Sequence, residues 1–172
     1  FTTDVERTKE ICKRIINENL DVLWQCQNGI RVDAGDQEMF DLMKRAGCYK
    51  VAFGFESGND EVLKGFGKGG RATLDRAYQT TKMARKAGID VFGFFMVGLL
   101  NDTEETMRQT IEFGRNLEVD ILKISICVPF PGTSMFEELR SKGLLNVFDW
   151  NCYNIFKPQE FFHHPSVVTI LS

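Results

Sequence analysis

The sequence is poor in the residues and runs that metal sites, membranes and nucleic acids require. It contains two histidines and five cysteines among 172 residues. No two cysteines are spaced as ligands of one metal ion, so neither a CxxC nor a CxxxCxxC motif is present. No apolar run approaches the length of a bilayer span, and no basic-then-apolar leader opens the chain. The net charge of −3 gives no basic excess of the kind that DNA binding needs.

The composition that remains is typical of a globular protein with one core. Hydrophobic residues make up 43% and charged residues 26% of the chain, whose 172 residues are enough for one domain. Cys12 lies on an apolar helix face, and Cys48 and Cys127 fall in strand-like runs, which is typical of buried free thiols. Reduced thiols favour a cytoplasmic location. The chain opens on Phe1 without an initiator Met, so we expect it to begin within a longer protein.

Helical and strand-like periods alternate along most of the chain. Helical periodicity predicts helices over 4–19, 36–46, 59–64, 73–86, 102–117 and 134–142, and apolar runs predict strands over 21–26, 50–55, 91–97 and 121–128. Capping boxes are predicted at Thr3 with Glu6 and at Ser134 with Glu137. From Leu144 onward the chain is irregular. We therefore expect one barrel portion over 1–145 and an irregular C-terminal extension over 146–172.

This alternation predicts an α/β fold with a parallel sheet. Arg45-Ala46-Gly47 and Lys86-Ala87-Gly88 each close a helix just before a strand, as glycine at a helix C-terminus does. Strands that alternate with helices pair in parallel through helical crossovers, and we expect the runs 91–97 and 121–128 to be covered on both faces. A closed eight-stranded barrel needs about 250 residues, so these strands supply at most part of one. An open doubly wound sheet is the structural alternative, and the Gly-rich stretch 65–70 lacks the order of a phosphate loop.

Polar residues follow the first two predicted strands, at the ends where the loops of a parallel sheet converge. Asn28 and Arg31 follow the first strand, and Glu56 follows the second, between Gly54 and Gly58. Glycines there let a ligand approach the backbone closely. From position alone, Glu56 suits either a contact to ribose hydroxyls or an ammonium group, or a surface acid that caps the next helical turn. Arg31 suits either a carboxylate or phosphate ligand, or a surface salt bridge.

The exits of the last two predicted strands carry different signals. Asp102 follows the third strand, and its place before a helix favours a capping role over a ligand role. Pro129 and Pro131 follow the fourth strand. Prolines make this exit rigid and lack N–H donors, which leaves carbonyl groups free to face a ligand.

Three segments in order along the chain resemble one family. They are Ala46-Gly47-Cys48 with Gly54-Phe55-Glu56-Ser57-Gly58-Asn59-Asp60-Glu61-Val62-Leu63-Lys64, then Ala87-Gly88-Ile89 with Phe94-Phe95-Met96-Val97-Gly98-Leu99 and Asp102-Thr103-Glu104-Glu105-Thr106, then Pro129-Phe130-Pro131-Gly132-Thr133. They are similar to the fourth, fifth and sixth strand segments of radical S-adenosylmethionine (SAM) enzymes. The combination is most similar to the branch that often carries a cobalamin-binding domain ahead of the radical SAM core. The resemblance covers roughly residues 1–145.

The resemblance implies a partial TIM-type (β/α)6 barrel, here about four βα units with the first two strands missing. It implies a 4Fe-4S cluster and SAM, whose reductive cleavage would give a 5′-deoxyadenosyl radical that starts chemistry on an unknown substrate. It also implies cobalamin on a domain outside this chain, and partners in the remaining half-barrel and in an electron donor such as flavodoxin or ferredoxin.

The resemblance also assigns cofactor-binding residues. By matching position, Glu56 with Ser57 would contact the SAM ribose or its amino-acid end. The strand segment Phe95–Gly98, with Val97 and Gly98 as its assigned contacts, would pack against adenine, and Pro129 with Phe130 would close over the same base. Asn28 is the matching polar contact from the third strand of the family.

Two departures from the family pattern shape the functional hypothesis. The cluster-binding CxxxCxxC is absent, and Gly98-Leu99-Leu100-Asn101 stands where the family has Gly-Leu-Pro-Gly. Without three thiolates the chain cannot hold the cluster as the family does. We therefore expect the chain to be catalytically inert alone, and none of its residues is assigned as a metal ligand. The alternatives are a degenerate, non-catalytic module that acts in assembly through an exposed sheet edge, and a barrel of another class such as an aldolase or phosphate-binding isomerase. A barrel of such a class would require a catalytic Lys or a phosphate loop at a strand end, and neither is evident in the sequence.

Overall fold

The computed structural model describes residues 1–65 and 72–145, and there the strands and helices alternate. The strands are β1 (Trp24–Ile30), β2 (Cys48–Glu56), β3 (Asp90–Val97) and β4 (Ile121–Ile126). The helices are α1 (Val5–Asn17), α2 (Gln37–Arg45), α3 (Asp60–Gly65), α4 (Leu74–Lys86), α5 (Glu104–Asn116) and α6 (Ser134–Ser141). The predicted extension 146–172 and all of the Gly-rich stretch except Gly65 lie outside the described residues. Among the helices of the described ranges, none is long and apolar enough to cross a membrane.

The strands form one parallel sheet in the order β1-β2-β3-β4. Each strand therefore lies beside the next one in sequence, and a helix connects every pair. A doubly wound sheet reverses its strand order at a switch point, whereas a TIM-type barrel adds each strand on the same side. The α/β fold is confirmed, and the described strands follow the order of a barrel rather than the doubly wound alternative.

The main core lies between one face of the sheet and the helices. Phe53, Phe55 and Phe95 are almost fully buried there. The rings of Phe55 and Phe95 stack with centroids 5.2 Å apart, and Phe95 meets Phe113 of α5 at 6.1 Å. Large aromatic side chains contribute most of the apolar area that such a core removes from water. This packing holds α5 against the exits of β2 and β3.

The opposite face of the sheet carries the intervening residues of the same strands. Phe92 and Phe94 pack on each other with centroids 4.6 Å apart, and the Lys123 ammonium lies 5.9 Å from the Phe94 ring. These residues, with Lys50, line a shallow cavity of about 180 Å³. Alternation along β3 places this face opposite the helices, where the interior of a barrel lies.

The prediction that the runs 91–97 and 121–128 are covered on both faces is wrong in the described structure. Buried and half-buried residues alternate along β3, and the first four residues of β4 are exposed. The exposed fraction is 45% for Ile121 and 37% for Ile124. An apolar run shows that a strand can be covered, but its neighbours decide whether it is, and β4 has only β3 beside it.

Predicted helix starts differ from the structure by one residue. The N-cap of α1 is Asp4 rather than Thr3, and the N-cap of α6 is Thr133 rather than Ser134. Each observed cap has an extended backbone and accepts a hydrogen bond from the N–H three residues on, from Arg7 and Phe136 respectively. Adjacent Ser, Thr and Asp residues have similar cap preferences, so the backbone conformation selects among them.

The first predicted strand, 21–26, differs more from the observed β1, Trp24–Ile30. The Trp24 N–H donates to the Gly47 carbonyl, and the strand pairs with β2 up to Ile30 opposite Phe53. Pairing with β2 therefore sets the bounds of β1, although its second half has little apolar character. Asn28 consequently lies within the strand and not after it.

Helices α1 and α2 are joined by a lysine with little exposure. The Lys9 side chain is 7% exposed, and its Nζ lies 2.8 Å from an Asp36 oxygen and 2.7 Å from a Glu38 oxygen. These hydrogen bonds raise the pKa of Lys9 above its ordinary value, and the Lys9 ammonium lowers the pKa of Asp36. Asp36 also accepts from the Met39 N–H as the N-cap of α2. This ion cluster fixes the start of α2.

Candidate functional site

A cavity of about 470 Å³ lies at the carboxyl ends of β3 and β4. Its wall combines the strand exits with α3 and the start of α6, and is mostly apolar with a few polar groups. The lining residues are Val62, Gly65, Met96, Leu99, Leu100, Asn101, Ser125, Ile126, Cys127, Val128, Pro129, Phe130, Thr133, Ser134 and Met135. Volume, apolar lining and position at the strand ends are those of a small-molecule site in a parallel βα protein.

Glu56 closes β2 in a conformation that residues with a Cβ rarely adopt. Its φ is +66°, in the left-handed region. The pairing of β2 with β3 also shifts in register between Gly54 and Glu56, which is typical of a bulge at the end of a strand. The side chain is half-buried. A carboxylate is thus held at a strand exit by a strained backbone, which is common where a side chain serves a ligand.

The residues after Glu56 are fastened to helix α5. Ser57 is fully buried, and its Oγ lies 3.1 Å from Thr110 Oγ1. The Gly58 N–H donates to the same Thr110 oxygen at 2.9 Å, and the Asn59 amide donates to Gln109 Oε1 at 2.8 Å. The Ser57 hydroxyl is therefore part of the scaffold that joins two βα units.

Asp102 closes the loop after β3 and is not the N-cap of helix α5. One Asp102 oxygen accepts from the Leu99 N–H at 2.9 Å, and the other accepts from Thr106 Oγ1 at 2.8 Å. The N-cap of α5 is Thr103, which forms a capping box with Thr106. The predicted N-cap at Asp102 is therefore wrong, because this carboxylate closes the Gly98–Asp102 loop and leaves the cap to its neighbour. Gly98 adopts a φ of +78° that this tight exit needs.

The exit of β4 forms the other wall of the cavity. The Cys127 N–H continues the sheet by donating to the Val97 carbonyl at 2.8 Å, and the Cys127 sulfur lies 3.6 Å from that of Met135. Burial, and to a smaller extent the negative charges of Asp102 and Glu56, raise the pKa of the Cys127 thiol to about 11. Cys127 is therefore a neutral lining group. The charge of Glu56 therefore acts on Cys127, although the side chain of Glu56 does not line the cavity.

The structure brings only part of the predicted cofactor set to the cavity. Pro129 and Phe130 line it, whereas Val97 faces Met107 of α5 and is buried there. On β3 the cavity is lined by Met96, and after β3 by Leu99. Strand alternation explains the difference, because neighbouring residues of β3 point to opposite faces.

The remaining predicted residues are not among those that line the cavity. Glu56, Ser57 and Gly98 sit beside the cavity at the exits of β2 and β3 without lining it. Asn28 is exposed within β1. Arg31, for which two interpretations were open, makes a bidentate ion pair with Asp33 at 2.6–2.7 Å, which favours the surface salt bridge.

The described thiols do not form a metal centre. Over residues 1–65 and 72–145, no group of three His, Cys, Asp or Glu residues could hold a metal ion. Cys12, Cys48 and Cys127 are buried free thiols, as predicted, and Cys26 is half-buried. A hydrogen bond to Cys26 and burial both raise the pKa of Cys48. Cys12 and Cys48 are side chains of the main core, and Cys127 lines the cavity.

Sequence reasoning missed most of the cavity wall. Val62, Ser125 and Met135 line it, and nothing in their sequence context separates them from core residues. Thr110 was also missed, because a Thr inside a helix is unremarkable until its hydroxyl is seen to receive the loop after β2. Met96 lies in the predicted segment Phe95–Gly98 but was not assigned as a contact, and strand alternation could have selected it, since it precedes Val97 on the opposite face.

The parallel sheet, in sequential strand order and with a cavity at its strand exits, is typical of α/β barrel proteins. Comparison with known proteins specifies the family. The model of the Radical SAM superfamily matches residues 2–114. The chain therefore belongs to the radical SAM superfamily.

Relatives and neighbours agree with this membership. The chain is 32% identical over 158 residues to an uncharacterized methyltransferase of Pyrococcus horikoshii, covering 92% of this chain and 34% of that protein. It is 28% identical to the anaerobic magnesium-protoporphyrin IX monomethyl ester cyclase of Rubrivivax gelatinosus, covering 87% of this chain and 26% of the cyclase. The chain thus spans about a third or less of the relatives that it matches.

A solved structure shares the fold. The radical SAM methyltransferase TsrM from Kitasatospora setae, solved with cobalamin and a 4Fe-4S cluster bound, superimposes with a TM-score of 0.65 at 20% identity. The match covers 81% of this chain and 27% of TsrM. The four described strands therefore correspond to part of a radical SAM TIM-type barrel, which confirms the predicted fold class.

Proposed function

We propose that this chain supplies the SAM-contacting, C-terminal part of a radical SAM barrel in a longer enzyme. The observation that carries the proposal is the cavity of about 470 Å³ at the exits of β3 and β4, beside the strained carboxylate of Glu56. In parallel βα proteins the strand carboxyl ends are where ligands bind. Membership of the superfamily supports SAM as the ligand of this site.

The wall of the cavity fits the adenosine part of SAM. Met96, Leu99 and Phe130 offer apolar surface to a flat base, and the Asn101 amide adds a polar group at the rim. Pro129 and Phe130 keep the role expected for them, and Met96 takes the place on β3 that was expected of Val97. Glu56 remains the residue that we assign to the ribose hydroxyls or the ammonium group, both of which donate hydrogen bonds to a carboxylate.

The described residues do not fit the iron-sulfur cluster. Three thiolates converge on such a cluster, whereas the described ranges contain no such group. We therefore place the cluster ligands in another part of the enzyme. When bound and reduced there, SAM supplies the radical that begins the reaction. The residues of this chain bind and orient SAM and exclude water from its apolar half.

We also propose that the longer enzyme binds cobalamin on a domain outside this chain. TsrM was solved with cobalamin bound, and the relative from Pyrococcus horikoshii is named a methyltransferase. A cobalamin-binding domain ahead of the barrel would be consistent with both, and its absorbance spectrum in the purified full-length protein is the direct check.

The test of the SAM site is reductive cleavage by the full-length protein. The protein is reconstituted with iron and sulfide under anaerobic conditions, reduced with dithionite or flavodoxin, and assayed for 5′-deoxyadenosine. We expect the product to form, and we expect Glu56→Gln to raise the KM for SAM on the order of tenfold through the loss of a charged hydrogen bond. Glu61→Gln is the matched control, since Glu61 is an exposed partner of Lys64, and its KM should equal that of the wild type. Absence of 5′-deoxyadenosine from a cluster-loaded protein would contradict the proposal.

A non-catalytic assembly module is the second candidate. It is favoured by the exposed apolar side chains of β4, among them Ile121 and Ile124. The same cleavage assay separates the two candidates, because a protein that only assembles would bind no cluster and release no 5′-deoxyadenosine.

A further inference from the structure

We propose that Thr110 of helix α5 is a positioning residue for Glu56, acting through the Ser57-Gly58 backbone. This inference rests on the proposed function, because it concerns the residue there assigned to SAM. It adds a second βα unit to the site: β2 provides the carboxylate, and the helix that follows β3 determines where the carboxylate lies.

The first observation is that the hydroxyl of Thr110 uses its full hydrogen-bonding capacity. It donates to the Thr106 carbonyl at 3.0 Å, accepts from the Gly58 N–H at 2.9 Å and pairs with the Ser57 hydroxyl at 3.1 Å. A hydroxyl has one hydrogen to donate and two acceptor positions. Since the hydrogen of Thr110 goes to Thr106, Ser57 is the donor in the pair.

The second observation is the burial of both hydroxyls, which keeps them away from bulk solvent. Ser57 and Thr110 are fully buried. The Ser57 oxygen also accepts from the Asn59 N–H at 3.1 Å. Buried polar groups that lose a partner keep the cost of their desolvation, so removing one hydroxyl leaves two groups of this network unsatisfied and favours another path for the loop.

The third observation is the contact of Gly58 with the helix. A Cβ on Gly58 would lie 2.6 Å from Phe113 Cβ, 2.7 Å from the Gln109 carbonyl oxygen and 2.7 Å from Thr110 Cα. The loop backbone thus rests directly on α5 between these residues. Hydrogen bonds set its register on the helix, and the missing side chain lets it approach.

The fourth observation links this anchor to Glu56. Glu56 immediately precedes Ser57 and holds a φ of +66°, a conformation that persists only where the surroundings enforce it. On its other side, the pairing of β2 with β3 shifts in register and holds it less regularly. The Thr110 anchor lies directly beside the strained residue, and it therefore contributes to holding the backbone of Glu56, and with it the carboxylate, in place.

The experiment uses the full-length protein, loaded with its cluster, and measures the KM for SAM in reductive cleavage together with thermal stability. Thr110→Val keeps the shape of the side chain and removes the hydroxyl, and we expect its KM for SAM to rise on the order of tenfold, which corresponds to about 1.4 kcal/mol. Thr110→Ser keeps the hydroxyl and should restore a KM within about twofold of the wild type. Ser57→Ala removes the partner instead and should raise the KM in the same direction. If Thr110→Val does not fold, the KM of Ser57→Ala tests the inference in its place.

Thr80→Val is the matched control. Thr80 is a buried helix threonine whose hydroxyl donates to the Val32 carbonyl at 2.6 Å, on α4 and outside the loop after β2. Its loss should lower the melting temperature without changing the KM for SAM. If Thr110→Val behaved like Thr80→Val, Thr110 would be a structural residue only and the inference would be overturned.

A double variant separates this inference from the function on which it rests. If Thr110 acts through Glu56, Thr110→Val should add little to the KM of Glu56→Gln, whereas independent effects would multiply. Failure of Glu56→Gln alone to change the KM would overturn the role of Glu56 and the inference with it. A raised KM in Glu56→Gln beside an unchanged KM in Thr110→Val and Ser57→Ala would overturn only the positioning role.

Discussion

At the scale of single residues, Glu56 combines a charged side chain with a strained backbone. Among the described residues, positive φ occurs outside glycine at Asn19 and Glu56. Asn tolerates the left-handed region because its short amide bonds locally, and Glu has no such advantage. A residue whose backbone conformation lowers stability is typical of a position that is kept for function.

Replacing Glu56 with glycine should therefore stabilise the chain and impair its site. The left-handed region costs a residue with a Cβ about 1 kcal/mol, which glycine avoids. We expect the free energy of unfolding of Glu56→Gly to rise by up to about 1 kcal/mol, measured by urea denaturation of the chain at low concentration. Glu56→Ala keeps the strain without the carboxylate and should show no gain. Equal stability of the two variants would contradict this explanation.

Gly58 is constrained by contact rather than by its backbone angle. Gly58→Ala would place a methyl group against the backbone of α5, and such overpacking costs about 1–3 kcal/mol. The matched control is Gly65→Ala, whose Cβ would meet only the amide end of Asn101, a group that can rotate away. Urea denaturation should show a clear loss for the first variant and a change within about 0.5 kcal/mol for the second.

At the scale of elements, Asp120 joins the starts of β3 and β4. Its carboxylate accepts from the Val91 N–H at 2.8 Å and from Arg85 of α4 at 2.7 Å. Partial burial raises the pKa of Asp120, but these hydrogen bonds outweigh it, so the net pKa lies below its ordinary value. Asp120, which precedes β4, thus ties the start of β3 and the end of α4 to the start of β4.

The lowered pKa predicts how this contribution depends on pH. A carboxyl whose pKa falls on folding stabilises the protein above its unfolded pKa of about 3.9 and loses that effect as the pH falls through the folded value. Asp120→Asn should therefore be less stable than wild type by about 1 kcal/mol at pH 7, a figure kept small because the pair is partly exposed. The difference should shrink below about pH 4, as followed by urea denaturation at each pH. A difference that stayed constant to pH 3 would exclude the ionic origin.

At the scale of the whole molecule, the described sheet has an open edge at β1. Only β2 pairs with this strand in the described structure, and the residues that lead into it include Leu23, which is 82% exposed, and Val22, which is 42% exposed. Unpaired strand edges beside apolar side chains template association with another chain. The same edge would be occupied by further strands in a longer barrel.

The isolated chain is therefore expected to self-associate. Its average mass in sedimentation should rise with concentration, and replacing Val22 and Leu23 with lysine should reduce the rise, since charge at a sheet edge opposes pairing. A mass that stays monomeric at every concentration would argue against an accessible edge. The cytoplasmic location, the electron donor and the boundary at 145 stay predictions, which the described residues do not test.

Most of the fold could be predicted from local patterns. Helix α4 has the bounds implied by Thr73 and Gly88, and β3 differs from its prediction by one residue. Both have strong periodicity and clear ends. Caps were less predictable where cap-forming residues are adjacent, as at Thr3 and Asp4. The bounds of β1 were missed because its pairing, and not its apolar content, defines it.

The candidate site was predictable in outline only. The family motifs named Glu56, Pro129 and Phe130, which lie at or beside the cavity, because a strand exit can be recognised from the apolar run before it. Asn28 and Val97 were assigned by position in a motif, and the structure places Asn28 in an exposed strand and Val97 against α5. A one-residue difference along a strand turns a side chain to the other face.

What the sequence alone determined is the order of helices and strands, the parallel sheet and the family, since these depend on periodicity and on motifs read along the chain. Only the tertiary structure decided what surrounds each side chain: that Ser57 meets Thr110 more than fifty residues away, that Asp102 closes a loop rather than caps a helix, and that Met96 lines the cavity. The reason is that local conformation follows from neighbouring residues, whereas a hydrogen-bond partner or a cavity wall follows from segments that meet only after the sheet has formed.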